Sequence, residues 1–179
     1  QVSRWGMDIF IERFRSALAQ GMRLVQLREP ELAPSEVADV MHRLLPLLRA
    51  AGGRLMISSR HDRARWREAD GLHLTSVDLM REHGRPLGLG DDQWLSASVH
   101  DREQLERAAM IGCDFVVAGP VKPTLTHPDA KVLGWAGLAQ LAHNTPVAVY
   151  ALGGLRSDDL ACARAQGAHG LAMLSAAWN

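Results

Sequence analysis

The sequence predicts a parallel α/β fold of the TIM-type (β/α)8 barrel class, with the first strand missing from this chain, and three observations carry that expectation. Seven short apolar runs begin near Leu24, Leu55, Gly71, Trp94, Asp114, Val147 and Gly170, with helical patterns between nearly all of them. Right-handed crossovers between strands this short favour a closed barrel over an open sheet. The third observation is the stretch from Pro146 to Ser175, which reads as strand, glycine turn, helix and strand. Val147 to Leu152 is apolar and stops at Gly153-Gly154; Ser157 reads as the N-cap of a helix over Asp158 to Gln166, which Gly167 closes; Gly170 to Leu174 is the last strand.

The remaining elements follow in order. Phe10, Phe14, Ala17 and Leu18 share one face of a helix over Asp8 to Gln20, stopped by Gly21. Leu24 to Leu27 is a strand, and Pro34-Ser35 opens a helix whose apolar side is Val37, Val40, Met41, Leu44 and Leu45. Pro46 should kink or restart that helix before Gly52-Gly53 ends it. Leu55 to Ser58 is a strand; a short helix over His61 to Glu68 leads to the strand Gly71 to Leu74. Asp78 to His83 is helical, Trp94 to Ser98 a strand, Arg102 to Ile111 a helix and Asp114 to Gly119 a strand. The long proline-rich loop Pro120 to Gly134 is of the kind that carries function, and Gly137 to His143 is the next helix. The strand needed to complete eight should precede Asp8, where Gln1 to Gly6 is too short and too polar. The expectation is a single domain over residues 1–179, cut from the C-terminal part of a longer protein, with the gap filled by the N-terminal segment folding back, by disorder that opens the barrel there, or, as the preferred outcome, by two-fold pairing as a homodimer.

Composition narrows the function classes. With 47% apolar and 22% charged residues the chain is ordinary globular material, and a formal net charge of +0 offers no basic footprint for nucleic acid or a membrane surface. Of the twenty basic residues only Lys122 and Lys131 are lysines, which singles both out. Cys113 and Cys162 have neither metal-ligand spacing nor a disulfide framework, so a reducing, cytoplasmic setting is expected, and no apolar run approaches membrane-spanning length. Two adjacent parallel strands ending in Gly153-Gly154 and in Ser175-Ala176 present backbone N–H groups that suit a phosphate on the carboxyl side of a sheet; the same glycines equally fit a tight turn and nothing more.

The strand ends also carry motifs in register along nearly the whole chain: VQLRE at Val25 to Glu29, ADGLHL at Ala69 to Leu74, SASVH at Ser96 to His100, GCDFVVAGPVKPTLTHP at Gly112 to Pro128, ALGGL at Ala151 to Leu155 and GLAMLSA at Gly170 to Ala176. With these the chain resembles thiamine-phosphate synthase and its relative, the thiazole tautomerase TenI. Its wording, THP in the loop and VYALGG after it, is most similar to the barrel found behind a MutT-type Nudix hydrolase in some bacterial fusion proteins. The synthase joins a pyrimidine diphosphate to a thiazole phosphate with Mg²⁺. The resemblance therefore implies a phosphorylated small-molecule ligand, with Gln26, Arg28 and Ser58 on the diphosphate side, Ser98 as a substrate contact, Thr124 and Thr126 in the thiazole-phosphate loop, and Gly153, Gly154, Leu174 and Ser175 as the phosphate cradle. Asp78 matches one metal carboxylate, while Ser58-Ser59 stands where the synthase has Asn-Asp. Pro30 and His127 stand where it has lysines, and Pro120 where the tautomerase has its histidine.

These departures argue against efficient synthase chemistry and for Mg²⁺ held only together with a phosphorylated ligand. His127 is the candidate for acid–base work, with Asp78 and Arg28 near the reacting centre. Plainer readings stand beside these. His73 is a packed strand residue; His100 and Asp101 begin a helix; Asp114 caps a strand start; Trp66, Trp94, Trp135 and Trp178 are partly buried packing residues; and Met41, Met56, Met110 and Met173 occupy the core. Two functions stay open, an enzyme of thiamine metabolism acting on a thiazole phosphate and a non-catalytic phosphate-ligand or structural domain attached to a Nudix hydrolase.

Overall fold

A computed structural model describes residues 2–124 and 131–178. The chain divides into two compact units, Gln1–His73 with Pro86–Trp94, and Leu74–Arg85 with Leu95–Asn179. Among the described residues there are seven strands, as expected, and no helix long and apolar enough to cross a membrane.

In the first unit, residues Val2–Trp5 form a single helical turn (α1), closed by the Gly6 N–H on the Val2 carbonyl at 2.9 Å. Helix α2 (Met7–Ala19) buries Phe10, Phe14, Ala17 and Leu18, the face read from the sequence. Strand β1 (Leu24–Leu27) leads to helix α3 (Pro34–Ala50), which starts on a proline and on the Ala33 N–H donating to Glu36 Oε2 at 2.7 Å. Its buried stripe is Val37, Val40, Met41, Leu44 and Leu48, and each such side chain stabilises by about 1.5–3 kcal/mol through area removed from water. The helix runs through Pro46 without the restart that was one of the two expectations there. Pro46 and His42 are both exposed residues of this helix, and a proline there has no N–H to give the His42 carbonyl.

Strand β2 (Arg54–Ser58) pairs in parallel with β1, Val25 beside Leu55 and Leu27 beside Ile57. Helix α4 (Arg63–Trp66) is capped by Asp62, which accepts the Ala64 N–H at 3.1 Å, and strand β3 (Gly71–Leu74) pairs with β2, placing His73 beside Ser58. Four of five β2 residues and all of β3 are buried, the mark of parallel strands covered on both faces. Asp70 and Leu55 exchange two bonds at the amino end of this pair: the Asp70 N–H donates to the Leu55 carbonyl at 2.9 Å, and Asp70 Oδ2 accepts the Leu55 N–H at 2.8 Å.

In the second unit, helix α5 (Ser76–Arg81) precedes strand β4 (Trp94–Val99), and helix α6 (Arg102–Met110), capped by Asp101, precedes strand β5 (Phe115–Ala118). Strands β4 and β5 pair in parallel, Ser98 beside Val117, and Asp114 repeats the Asp70 device by accepting the Leu95 N–H at 2.7 Å while donating its own to the Leu95 carbonyl at 2.8 Å. The expected strand-start cap at Asp114 is therefore present. Helix α7 (Gly134–Ala142) starts three residues before the expected Gly137, and strand β6 (Ala148–Ala151) pairs with β5.

After β6 the chain makes a 3-10 turn, Ser157–Asp159, then helix α8 (Leu160–Ala165) and strand β7 (Gly170–Leu171). Ser157 does not cap this segment; the Asp159 carboxylate does, taking the Arg156 N–H at 3.0 Å. Strand β7 is shorter than the expected Gly170 to Leu174, because after the Ala172 N–H bonds the Ala151 carbonyl the chain turns into a 3-10 segment, Ser175–Trp178. Met173 is then exposed, and so is Met110 at the end of α6, so neither joins the core with Met41 and Met56. Trp66 is buried, and Trp94, Trp135 and Trp178 are partly so, as read.

Candidate functional site

In the first unit the carboxyl ends of β1, β2 and β3 hold Gln26, Arg28, Ser58 and His73. Gln26 and Arg28 are exposed, whereas Ser58 and His73 are buried. His73 is pushed down to about 4, first by burial and then by the positive charge of Arg28, so it is neutral at pH 7 and behaves as the packed strand residue expected. Ser59 is fixed to the same strand end by its N–H on the His73 carbonyl at 2.8 Å.

Sequence reasoning missed Glu29. Its carboxylate is buried and accepts the Val2 N–H at 3.3 Å and the Ser3 hydroxyl at 3.1 Å, while its own N–H donates to His61 Nε2 at 3.4 Å. Burial lowers the His61 pKa and the Glu29 charge opposes that shift. A carboxylate directly after a strand end was the available signal, but nothing in its spacing names partners so far along the chain.

In the second unit Asp78 lies in the first turn of α5. Thr75 Oγ1 accepts the Asp78 N–H at 3.1 Å and donates to Asp78 Oδ2 at 2.8 Å, and Arg81 stands 3.8 Å from Oδ1. Ser98 is half-buried on β4. Asp101 begins α6 as read, but His100 does more: its Nδ1 donates to the Gly119 carbonyl at 2.5 Å.

The loop after β5 starts at the cis Gly119-Pro120 bond and zips onto the loop after β6, with the Val121 N–H on the Leu152 carbonyl at 2.8 Å and the Lys122 N–H on the Gly153 carbonyl at 3.0 Å. Its returning limb closes on the same base, Leu133 N–H to Pro120 and Gly134 N–H to Val121. Gly153 and Gly154 take φ values of +103 and +64, and a Cβ on them would stand 2.5 Å from Pro120 Cβ and 2.5 Å from the Pro123 carbonyl oxygen. Only glycine fits that close approach. Among the described residues neither the Gly153 nor the Gly154 N–H donates a hydrogen bond. Leu174 and Ser175 follow the neighbouring strand β7 and are exposed, and Thr124 is half-buried beside the loop base. Thr126 and His127 lie outside the described residues.

Lys122 ties these loops together. Its Nζ donates to Asp159 Oδ1 at 2.7 Å and lies 5.5 Å from the centre of the Trp135 ring. The Lys122 hydrogen bond, and then the Arg156 N–H, hold the Asp159 carboxyl below its ordinary range. Among the described residues no group of three or more His, Cys, Asp or Glu is arranged to hold a metal ion. Asp78, already bonded to Thr75, offers one carboxylate where Mg²⁺ favours near-ideal octahedral oxygen coordination, so the described residues do not fit a free-standing Mg²⁺ site.

Comparison with known proteins gives the family and the fold. The family described as thiamine monophosphate synthase, TMP-TENI, matches residues 3–177. The thiamine-phosphate synthase of Syntrophomonas wolfei is 34% identical over 167 residues, covering 93% of this chain and 79% of that protein. That of Azorhizobium caulinodans is 35% identical over 167 residues, covering 93% and 78%. Among solved structures, thiamine phosphate pyrophosphorylase from Pyrococcus furiosus superposes with a TM-score of 0.79 at 22% identity, covering 99% of this chain and 84% of that one, a likeness that gives the fold as TIM-type α/β. The strand-end motifs, the parallel strands and these matches together place the chain in the thiamine monophosphate synthase family, TMP-TENI.

Proposed function

We propose that this domain binds a thiazole-phosphate-type ligand in thiamine metabolism and that its synthase chemistry is impaired. The observation that carries the proposal is the Gly153-Gly154 turn, whose N–H groups donate to nothing among the described residues while the backbone around them is pinned by Pro120 to Pro123. Preorganised N–H groups of this kind bind an anion without reorganising. The impairment rests on Ser59, Pro30 and His127, which stand where the synthase has a carboxylate and two lysines. Removing one group that stabilises developing charge costs roughly 3 kcal/mol, or about 10²-fold in rate.

Thermal-shift titration with thiazole phosphate, thiamine phosphate and inorganic phosphate tests the binding half, since a ligand of the folded state raises Tm. A coupled assay with pyrimidine diphosphate, thiazole phosphate and Mg²⁺ tests the other half. Binding with turnover at least about 10²-fold below that of an active relative is the expected pair of results. Full turnover, or no shift with any phosphate, overturns the proposal. Calorimetry with Mg²⁺ alone should show no micromolar binding, and micromolar binding abolished by Asp78→Ala would contradict the reading of that carboxylate.

The same departures favour a second reading, a non-catalytic domain joined to a MutT-type Nudix hydrolase that senses a phosphorylated molecule. Ligand binding with neither synthase nor tautomerase turnover, together with a Nudix sequence upstream in the encoding gene, is what that reading requires.

A further inference from the structure

Lys122 occupies an unusual place for one of only two lysines in the chain. Its backbone N–H is locked on the Gly153 carbonyl at 3.0 Å, and its Cβ lies 2.9 Å from where a Cβ on Gly154 would stand, so the residue lies directly against the glycine turn. Its ammonium group is 2.7 Å from Asp159, with 39% of the Lys122 side chain and 19% of the Asp159 side chain exposed. Asp159 has a second partner in the Arg156 N–H, held through its other oxygen at 3.0 Å. The carboxylate thus stays engaged if the lysine leaves it.

Backbone N–H groups are neutral donors, and a phosphate monoester brings close to two negative charges at neutral pH. A site built from the Gly153 and Gly154 amides alone would meet that charge with dipoles only. We infer that Lys122 is the phosphate-binding cation of this site, held by Asp159 in the free protein and handed to the ligand phosphate on binding. The exchange is open to the lysine because Asp159 keeps the Arg156 N–H as a partner when the ammonium leaves, and the flexible four-carbon stem lets that ammonium swing while the backbone stays fixed to Gly153. The role selects phosphorylated ligands over their alcohols. It rests on the reading of the glycine turn as a phosphate site.

Calorimetric titration of the full chain with inorganic phosphate and with thiazole phosphate tests it, using Lys122→Met, Lys122→Arg and Asp159→Asn. Lys122→Met should weaken binding about tenfold or more, as expected for a lost hydrogen bond to a charged group, and Lys122→Arg should retain most of it. Asp159→Asn should tighten binding severalfold, because it frees the lysine. A merely structural latch predicts the opposite sign for Asp159→Asn, since loosening the loops would weaken binding. Wild-type affinity in Lys122→Met, or weakened binding in Asp159→Asn, overturns the inference and leaves the phosphate site standing. If Lys122→Met fails to fold, the sign of the Asp159→Asn effect decides. If the wild-type protein binds neither phosphate, the site itself falls, and with it the role of Lys122.

Discussion

Replacing Gly153 by alanine would set a methyl carbon 2.5 Å from Pro120 Cβ, 2.6 Å from Pro120 Cα and 3.2 Å from the Val121 nitrogen. Two costs add. The backbone at φ +103 lies in a region that disfavours side chains, at about 1–2 kcal/mol. The overlap needs Pro120 to move, yet Pro120 is held by the Leu133 N–H on its carbonyl and by the Val121 N–H on Leu152, so about 1–3 kcal/mol of overpacking is added. The sum is about 2–5 kcal/mol, which lowers Tm by roughly 4–20 °C for a chain of this size. Gly52→Ala separates the two costs, because Gly52 has φ +72 and no atom within 4 Å of the added methyl. It should lose only the backbone part, about 1–2 kcal/mol. Urea unfolding followed by circular dichroism on both variants is the assay. Equal losses in the two would refute the claim that the loop after β5 presses on the glycine turn.

Other expectations follow from single residues. His73 has a folded pKa of about 4 against 6.5 in the unfolded chain, so its contribution is complete above pH 6.5 and is lost as pH falls towards 4, where the unfolded chain binds the proton first; the loss is about 3 kcal/mol and should be missing from His73→Gln. Asp70→Ala removes the partner of the Leu55 N–H and of Arg49, and should cost about 2–3 kcal/mol by denaturant titration. Arg49→Ala, in which a half-exposed guanidinium leaves, should cost about 1 kcal/mol or less. With iodoacetamide the exposed Cys162 should label in the native protein, whereas Cys113, buried and pushed up to about 12, should label only after unfolding; mass spectrometry of the native adduct checks this.

The elements were legible because their signals are local. Phe10, Phe14, Ala17 and Leu18 report a helix by their spacing, and strands such as Leu55 to Ser58 are apolar runs bounded by turn residues. Local signals failed where exposure decided the outcome. Pro46 lies at an exposed position of an unbroken helix, and β7 ends before Met173 and Leu174, which are exposed and lead into a 3-10 segment. In the candidate site the glycine pair was visible and the partners of its neighbours were not. Lys122 meets Asp159 across 37 positions and Glu29 meets Val2 across 27, and neither spacing carries a pattern. His100 read as a helix start because Asp101 beside it is one, and its bond to Gly119 depends on strand register that only the folded chain supplies.

The doubled bonds of Asp70 with Leu55 and of Asp114 with Leu95 sit where strands begin, while Gln26, Arg28, Ser58, Ser98 and the glycine turn sit where strands end. Anchorage and the candidate site residues are therefore written in different letters of the strands. Residues at the strand ends can therefore be exchanged at little cost to the fold, because the bonds that fasten neighbouring strands lie at their other ends.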